Sequence, residues 1–177
     1  MEIQVDDFGR ITLRVPVSAS ETDVIRFFES KKKWAESHSA KLKGNGEPAL
    51  TEDEVREMFS AAERIIPGRV KLYAEKLRVS YGKITIRNQV TKWGSCSSAG
   101  NLSFNCMLAL MPEKVLDSVI VHELCHIRYM NHSTGFYKAV RRIMPEYDVW
   151  RGWLRENGSA YMCRMRRYRE GTPDEKK

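Results

Sequence analysis

The chain has 177 residues, a length that supports one globular domain with a real core. Its apolar runs are too short to cross a bilayer, and the acidic, strand-like start Met1-Glu2-Ile3-Gln4-Val5-Asp6-Asp7 does not read as a secretion signal. Cys96, Cys106, Cys125 and Cys163 are too few for a disulfide scaffold and form no metal-type pairs, so reduced thiols in a cytoplasmic protein are expected; the net charge of +7 allows an acidic partner without requiring one.

Glu2–Val5 and Ile11–Val15 are predicted to pair as a hairpin about Asp7-Phe8-Gly9. Ser20 then caps a helix from Glu21 to about His38, with Val24, Phe27, Phe28 and Trp34 as its apolar stripe. His38 reads as a helix-end residue, and Lys41 to Pro48, with Gly44, Asn45 and Gly46, as a flexible connection. Thr51 and Glu54 form a capping box for a helix to Ile66. Pro67-Gly68 should interrupt it before a helical stretch from Val70 to about Leu77.

Lys83 to Val90 and Leu102 to Met107 alternate as strands, and a turn at Ser98-Ala99-Gly100-Asn101 is expected to join them as a hairpin. Between them lie Trp93, Gly94 and Ser95, candidate substrate-binding residues. Trp93 can wall a binding site or fill the core; Gly94 can permit close backbone approach or mark a bulge.

From Pro112 to about Met130 the apolar residues Val115, Leu116, Val119, Ile120, Val121, Leu124, Ile127 and Met130 occupy nearly every side of a helical wheel, the mark of a buried helix. Asn131 ends it, and Ser133 or Thr134 can cap a further helix to about Met144. Asp148 to Glu156 reads as a short helix whose Trp150, Trp153 and Leu154 pack inward. Arg164, Arg166, Arg167 and Arg169 follow, with Tyr161 and Tyr168 interleaved. They are candidate nucleic-acid contacts, phosphate neutralisers beside stacking platforms; a solvated helix face or frayed tail would look the same. Gly171 to Lys177 is expected to be disordered. The organisation expected is 1–48 as hairpin and helix packed on the same domain, 49–160 as catalytic core and 161–177 as a basic tail.

Within the buried helix stands His122-Glu123-Leu124-Cys125-His126, followed by His132, so three of the four histidines fall within eleven residues. Histidines four apart share a helix face, so both rings can reach one ion. Zinc takes imidazole nitrogens at roughly 2.0–2.1 Å and, in catalytic sites, three protein ligands plus an open position. Glu123 is turned about 100° from His122, placing it to activate water instead of ligating. Two histidines and a glutamate inside a buried helix are costly without partners, and one metal supplies them together. The alternatives are a satisfied core cluster and, for His132, a loop histidine.

Thr91-Lys92-Trp93-Gly94-Ser95-Cys96-Ser97, Asn101-Leu102-Ser103-Phe104-Asn105, the His122–His126 motif, Met130-Asn131-His132-Ser133 and Phe136 together resemble the YgjP-like metallopeptidase family, related to the SprT-like and WLM metallopeptidases among the zincins. The resemblance covers about Phe8 to Asn157 and is most specific from Thr91 to Phe136. It implies His122, His126 and His132 as zinc ligands and Glu123 as catalytic carboxylate. Position 125 is usually a small residue in that pattern and is Cys125 here, a buried thiol or an oxidation-sensitive one.

The reading is therefore an α+β fold, a small zincin-like metallopeptidase domain with a central H-E-x-x-H helix, a β-hairpin edge and packing helices. The expected activity is zinc-dependent peptide hydrolysis, most simply endopeptidase, with one Zn2+ per chain and Glu123 as base. The resemblance also implies two alternatives: a metal-dependent nucleoside triphosphate pyrophosphatase, and a nucleic-acid-associated protease of SprT-like type. Tyr129, Arg128 and Asn131 are candidates to stabilise the oxyanion, and Ser95, Asn105 and Asp117 to orient the histidines.

Overall fold

The computed structural model describes residues 1–5, 11–42 and 48–171, with backbone alone at positions 38 and 40–42. The architecture is α+β. It divides into two units: Met1–Leu50 with Gly158–Lys177, and Thr51–Asn157.

In the first unit β1 (Glu2–Val5) pairs antiparallel with β2 (Ile11–Arg14), Ile3 opposite Leu13. The expected turn at residues 7–9 lies outside the described residues. Helix α1 (Glu21–Leu42) packs on this hairpin, and Ser20 caps it by accepting from the Asp23 amide at 3.2 Å. Ala35 is fully buried on α1, whereas Trp34 of the expected stripe keeps 49% of its surface exposed. Of the expected flexible connection, residues 43–47 are not among those described.

The C-terminal helix departs from expectation. Helix α5 runs Tyr147–Gly171, where a short helix ending at Glu156 and a basic tail from residue 161 were expected. Asn157 and Gly158 are poor helix formers and suggest a stop, but burial overrides that weak preference. Met162, Cys163 and Met165 are buried beyond them, and Arg164 Nε donates to the Pro48 carbonyl at 3.2 Å. Residues 172–177 of the expected disordered end lie outside the described residues.

The second unit is built on α2 (Glu52–Leu77). Thr51 Oγ1 accepts from the Glu54 amide at 3.2 Å, and the Glu54 carboxylate accepts from the Thr51 amide at 2.7 Å, completing the capping box. The helix is not interrupted at Pro67-Gly68. A proline in a helix interior costs about 3 kcal/mol. Ile66 and Val70, each at 0% exposure on either side of it, offset that with about 1.5–3 kcal/mol apiece. The buried stripe Met58, Ala62, Ile66, Val70, Ala74 and Leu77 recurs near every fourth residue, one helix face. Arg78 closes the helix in the left-handed conformation, φ 53° and ψ 51°.

Strands β3 (Ile84–Arg87), β4 (Gly94–Cys96) and β5 (Leu102–Asn105) form a sheet in the order β3-β5-β4. The hairpin expected between the first and last of these is corrected: β3 runs parallel to β5, and the turn joins β4 to β5, antiparallel, with Ser95 opposite Ser103. A three-residue strand is too short for its alternation to stand out in the sequence. Asn105 then caps a short 3-10 turn, Cys106–Leu110, accepting from the Met107 amide at 3.1 Å. The 3-10 turn replaces the end of the expected strand and packs against α2.

Helix α3 (Glu113–His126) lies on α2 and is buried from Val115 through Val121. It ends four residues before the expected Met130, because Ile127 and Arg128 donate to Leu124 and Cys125, tightening the last turn. Helix α4 (Thr134–Ile143) follows, its amino end capped by Ser133 Oγ. Asp117 on α3, at 0% exposure, is gripped by Arg69 of α2 through two guanidinium nitrogens and by Tyr73 Oη at 2.8 Å. This arrangement forks a planar donor pair onto a carboxylate, the strongest geometry available to a side-chain ion pair. Arg69→Ala strands Asp117 in the core, and should lower unfolding free energy by about 3–5 kcal/mol in urea titrations. A loss under about 1 kcal/mol would show the pair does not clamp α2 to α3.

Candidate metal centre

The two histidines of α3 and the one that follows it converge. His122 Nε2 lies 3.1 Å from His126 Nε2 and 3.0 Å from His132 Nε2, and the candidate ligand atoms of all three residues fall within 4.8 Å of one another. Nitrogens around a tetrahedral zinc stand about 3.3 Å apart, given bonds of roughly 2.0–2.1 Å. The early, tightened end of α3 makes the third approach possible, because the chain turns at once and brings His132 back before α4 begins.

Local hydrogen bonds aim the rings. His126 Nδ1 lies 2.9 Å from the Tyr129 carbonyl, which can only accept, so that nitrogen carries the proton and Nε2 presents a lone pair. His122 Nδ1 lies 2.7 Å from the Tyr147 hydroxyl. A proton on His122 Nε2 could make a good bond to only one of its two neighbours, leaving another lone pair unmet. A cation meets all three. The donor set therefore fits a zinc-type metal ion.

Phe136, at 0% exposure on α4, packs its ring against all three imidazoles, with centroid separations of 4.9, 4.6 and 4.9 Å from His122, His126 and His132. Tyr137 stacks on His132 at 6.1 Å, and Arg151 lies over the Tyr137 ring at 5.7 Å. Burial holds His122 down to about 3, with the neighbouring His126 and His132 and the Arg151 charge acting the same way. In this setting His122 is a neutral donor throughout the physiological range.

Glu123 is 6% exposed and turned from the histidines toward β4. A Cβ at Gly94 would come within 2.7 Å of both its Cγ and Oε1. Gly94 is thus neither bulge nor turn but a point where the strand backbone lies against the carboxyl. Burial pushes Glu123 up to about 7, against the pull of Lys92. Asn105 fastens the loop bearing Lys92 and Trp93, its Nδ2 donating to the Gln89 carbonyl at 2.6 Å and the Lys92 carbonyl at 2.9 Å. Cys96 on β4 also feels Glu123, and its thiol is raised by burial first and by that carboxylate second.

Not every residue singled out in the sequence reaches the centre. Asn105 and Asp117 are committed elsewhere, as described; the groups that orient the histidines are the Tyr147 hydroxyl and the Tyr129 carbonyl. Arg128 donates to the Arg78 carbonyl at 2.6 Å. Trp93 is half-buried and its carbonyl accepts from the Asn105 amide. Arg164, Arg166, Arg167 and Arg169 lie on α5 in the first unit, each engaged with a partner. Tyr147 and Arg151 were invisible in the sequence, since no local spacing links α5 to α3.

Residues 45–157, well over half the chain, match the family described as YgjP-like, metallopeptidase domain. The chain belongs to that family. Comparison with curated proteins returns no match. Among solved structures the chain is similar to the metallopeptidase zymogen of Methanocaldococcus jannaschii jannalysin, at 24% identity, covering 51% of this chain and 94% of that one, with a TM-score of 0.46.

The position of Glu123 has a consequence for stability. Its folded pKa of about 7 exceeds the ordinary 4.5, so between those values the folded state holds a proton that the unfolded chain releases. Glu123's share of the metal-free protein's stability should fall by about 3 kcal/mol as pH rises from about 4.5 to about 7, while His122, held down to about 3, makes stability rise over the lower part of the same range. Urea denaturation with chelator at pH 4 to 8 should show wild type losing that amount relative to Glu123→Gln across this range, because His122 contributes alike to both. Parallel curves for the two proteins would remove Glu123 as the cause.

Proposed function

We propose that the chain is a zinc-dependent peptidase that cleaves internal peptide bonds, with His122, His126 and His132 holding the ion and Glu123 as general base. The observation that carries this reading is the convergence of three histidine Nε2 atoms one helix position away from a buried carboxyl. Zinc at this site would supply a Lewis acid for the scissile carbonyl and make a water acidic near neutral pH. Glu123 accepts the proton of the attacking water and returns it to the leaving amine. Its surroundings suit that role, because a carboxyl near pH 7 is balanced between taking a proton and giving it back, and a nearby cation would favour its ionised form. Arg151, which lies over the Tyr137 ring that stacks on His132, is a candidate to help stabilise the oxyanion.

Strand β4 supports an extended peptide as substrate. The Asn105 amide donates to Trp93 and the Ser97 amide to Asn101, which brackets Ser95–Ser103 as the hydrogen-bonded pair between them. The amides and carbonyls of Gly94 and Cys96 therefore point away from β5, free to pair with an added strand beside Glu123. The three-histidine donor set favours zinc over the oxygen-loving magnesium usual in nucleotide hydrolysis, which sets the peptidase reading ahead of a pyrophosphatase.

Elemental analysis with hydrolysis assays on quenched peptides and nucleoside triphosphates tests this directly. About one zinc per chain is expected in wild type and Glu123→Gln, and far less in His132→Ala. Peptide cleavage should fall about 10²- to 10⁴-fold in Glu123→Gln. A zinc-loaded wild type that releases pyrophosphate and cleaves no peptide would replace the peptidase reading with the nucleotide one. Gly94→Ala separates strand placement from metal binding. Its new methyl must displace the carboxyl, so kcat/KM should drop about 100-fold at full zinc occupancy. Wild-type rates in Gly94→Ala would show that β4 does not position Glu123.

A further inference from the structure

A second charged feature of the catalytic unit lies where the carboxyl ends of α2, α3 and α4 meet. A cavity of about 550 Å³ is lined there by Lys76, Leu77, Arg78, Arg128 and Arg142. Four of these five side chains are cations and none is a carboxylate. Three other arginines of the unit are paired: Arg56 with Glu52 and Asp53, Arg69 with Asp117 and Glu113, and Arg141 with Asp148. Among the described residues none of the four has an acidic partner.

Helix ends offer a simpler account of such cations, and magnitudes decide against it as the whole explanation. Each helix carboxyl end carries about half a negative charge, so three offset about one and a half of the four positive charges. More than two remain unbalanced. The cations are also partly preset. Arg128 is tethered to the Arg78 carbonyl at 2.6 Å, and Lys76 sits over the Tyr73 ring at 5.0 Å.

Arg78 provides an independent observation. It is the one non-glycine residue with positive φ among those described, and the position after a helix in this conformation is glycine's by steric preference. Glycine would make the same cap, its amide donating to the Ala74 and Glu75 carbonyls, without the crowding. An arginine here carries a backbone cost and delivers a charge to the cavity, and such strain points to use.

We propose that this cavity is a binding site for a compact phosphate-bearing anion, one with two or three linked phosphates. Guanidinium groups bind phosphate oxygens in pairs, and cations gathered round one open pocket suit linked phosphates better than a strand's spaced ones. The lining includes none of His122, Glu123, His126 and His132. Arg128 lies in the turn between His126 and His132, so a bound phosphate braces that turn against the end of α2. Phosphate binding at this cavity does not depend on the peptidase reading.

Calorimetric titration of the full chain with inorganic tripolyphosphate, at about 50 and 200 mM salt, tests it. One ligand per chain is expected, weaker at the higher salt, with Arg78→Gly and Arg142→Gln each losing about tenfold in affinity. The thermal midpoint of Arg78→Gly should equal or exceed that of wild type, so loss of binding cannot come from misfolding. His132→Ala should bind as wild type does, and Lys33→Gln, which removes an exposed charge on α1, should change affinity less than about twofold. No binding at low salt, equal effects of Arg78→Gly and Lys33→Gln, or loss of binding in His132→Ala would each overturn the proposal. So would a single-stranded oligonucleotide that binds where tripolyphosphate does not compete.

Discussion

Helix α3 is enclosed nearly all round, and that enclosure governs the rest of the catalytic unit. A polar group on such a helix has no water to fall back on, so each must find a partner within the protein. Asp117 takes the guanidinium of Arg69 and the hydroxyl of Tyr73, and Ser118 returns its hydroxyl to the Val115 carbonyl at 2.7 Å. One turn further on, His122 finds Tyr147, and His126 finds the backbone that has just turned away from it. Partners on one face fasten the helix to α2, while those on another aim two imidazoles outward. The same burial that makes the helix immobile makes its histidines a rigid base for a metal.

How far this could be read in the sequence depended on distance along the chain. The histidine spacing was legible because it is local: four residues on a helix set a face, whatever else the fold does. Ser133 as a cap and the Thr51–Glu54 box were legible for the same reason. The sheet was not. β3 alternates well, but nothing local says that its partner runs parallel and that Gly94-Ser95-Cys96 supplies the antiparallel one. Pro67 was read by intrinsic preference, and burial of Ile66 and Val70 outweighed it. Tyr147 could not be found at all, since 25 residues separate it from His122 and its identity alone carries no signal.

Gly94 shows how two weak local readings become one strong structural fact. In the sequence it allowed either a bulge or a close approach. The neighbour it approaches is the carboxyl of Glu123, and the residue that bears the missing side chain lies on a sheet edge. A strand with a methyl here could pair with a peptide or admit the carboxyl, but not both in the same place. Absence of a Cβ lets backbone that can hold an extended chain lie directly over the group that would move its proton.

Burial also creates a tension that the metal would resolve. His122 Nε2 stands about 3 Å from Nε2 of both His126 and His132, and with two of these rings aimed by fixed hydrogen bonds, lone pairs are set against one another. A carboxyl kept dry nearby favours its uncharged form, which is the wrong form for a base. Each arrangement is unfavourable alone, and a dication relieves both: it accepts the lone pairs and favours the carboxylate. The energy spent in folding the centre would therefore be recovered on metal binding, which would couple affinity for the ion to the packing of α3 against α2 and to the contact of His122 with Tyr147. It follows that Phe136, whose ring backs all three imidazoles, and Tyr147, which holds one of them from α5, would serve a metal bound here as directly as the histidines they touch.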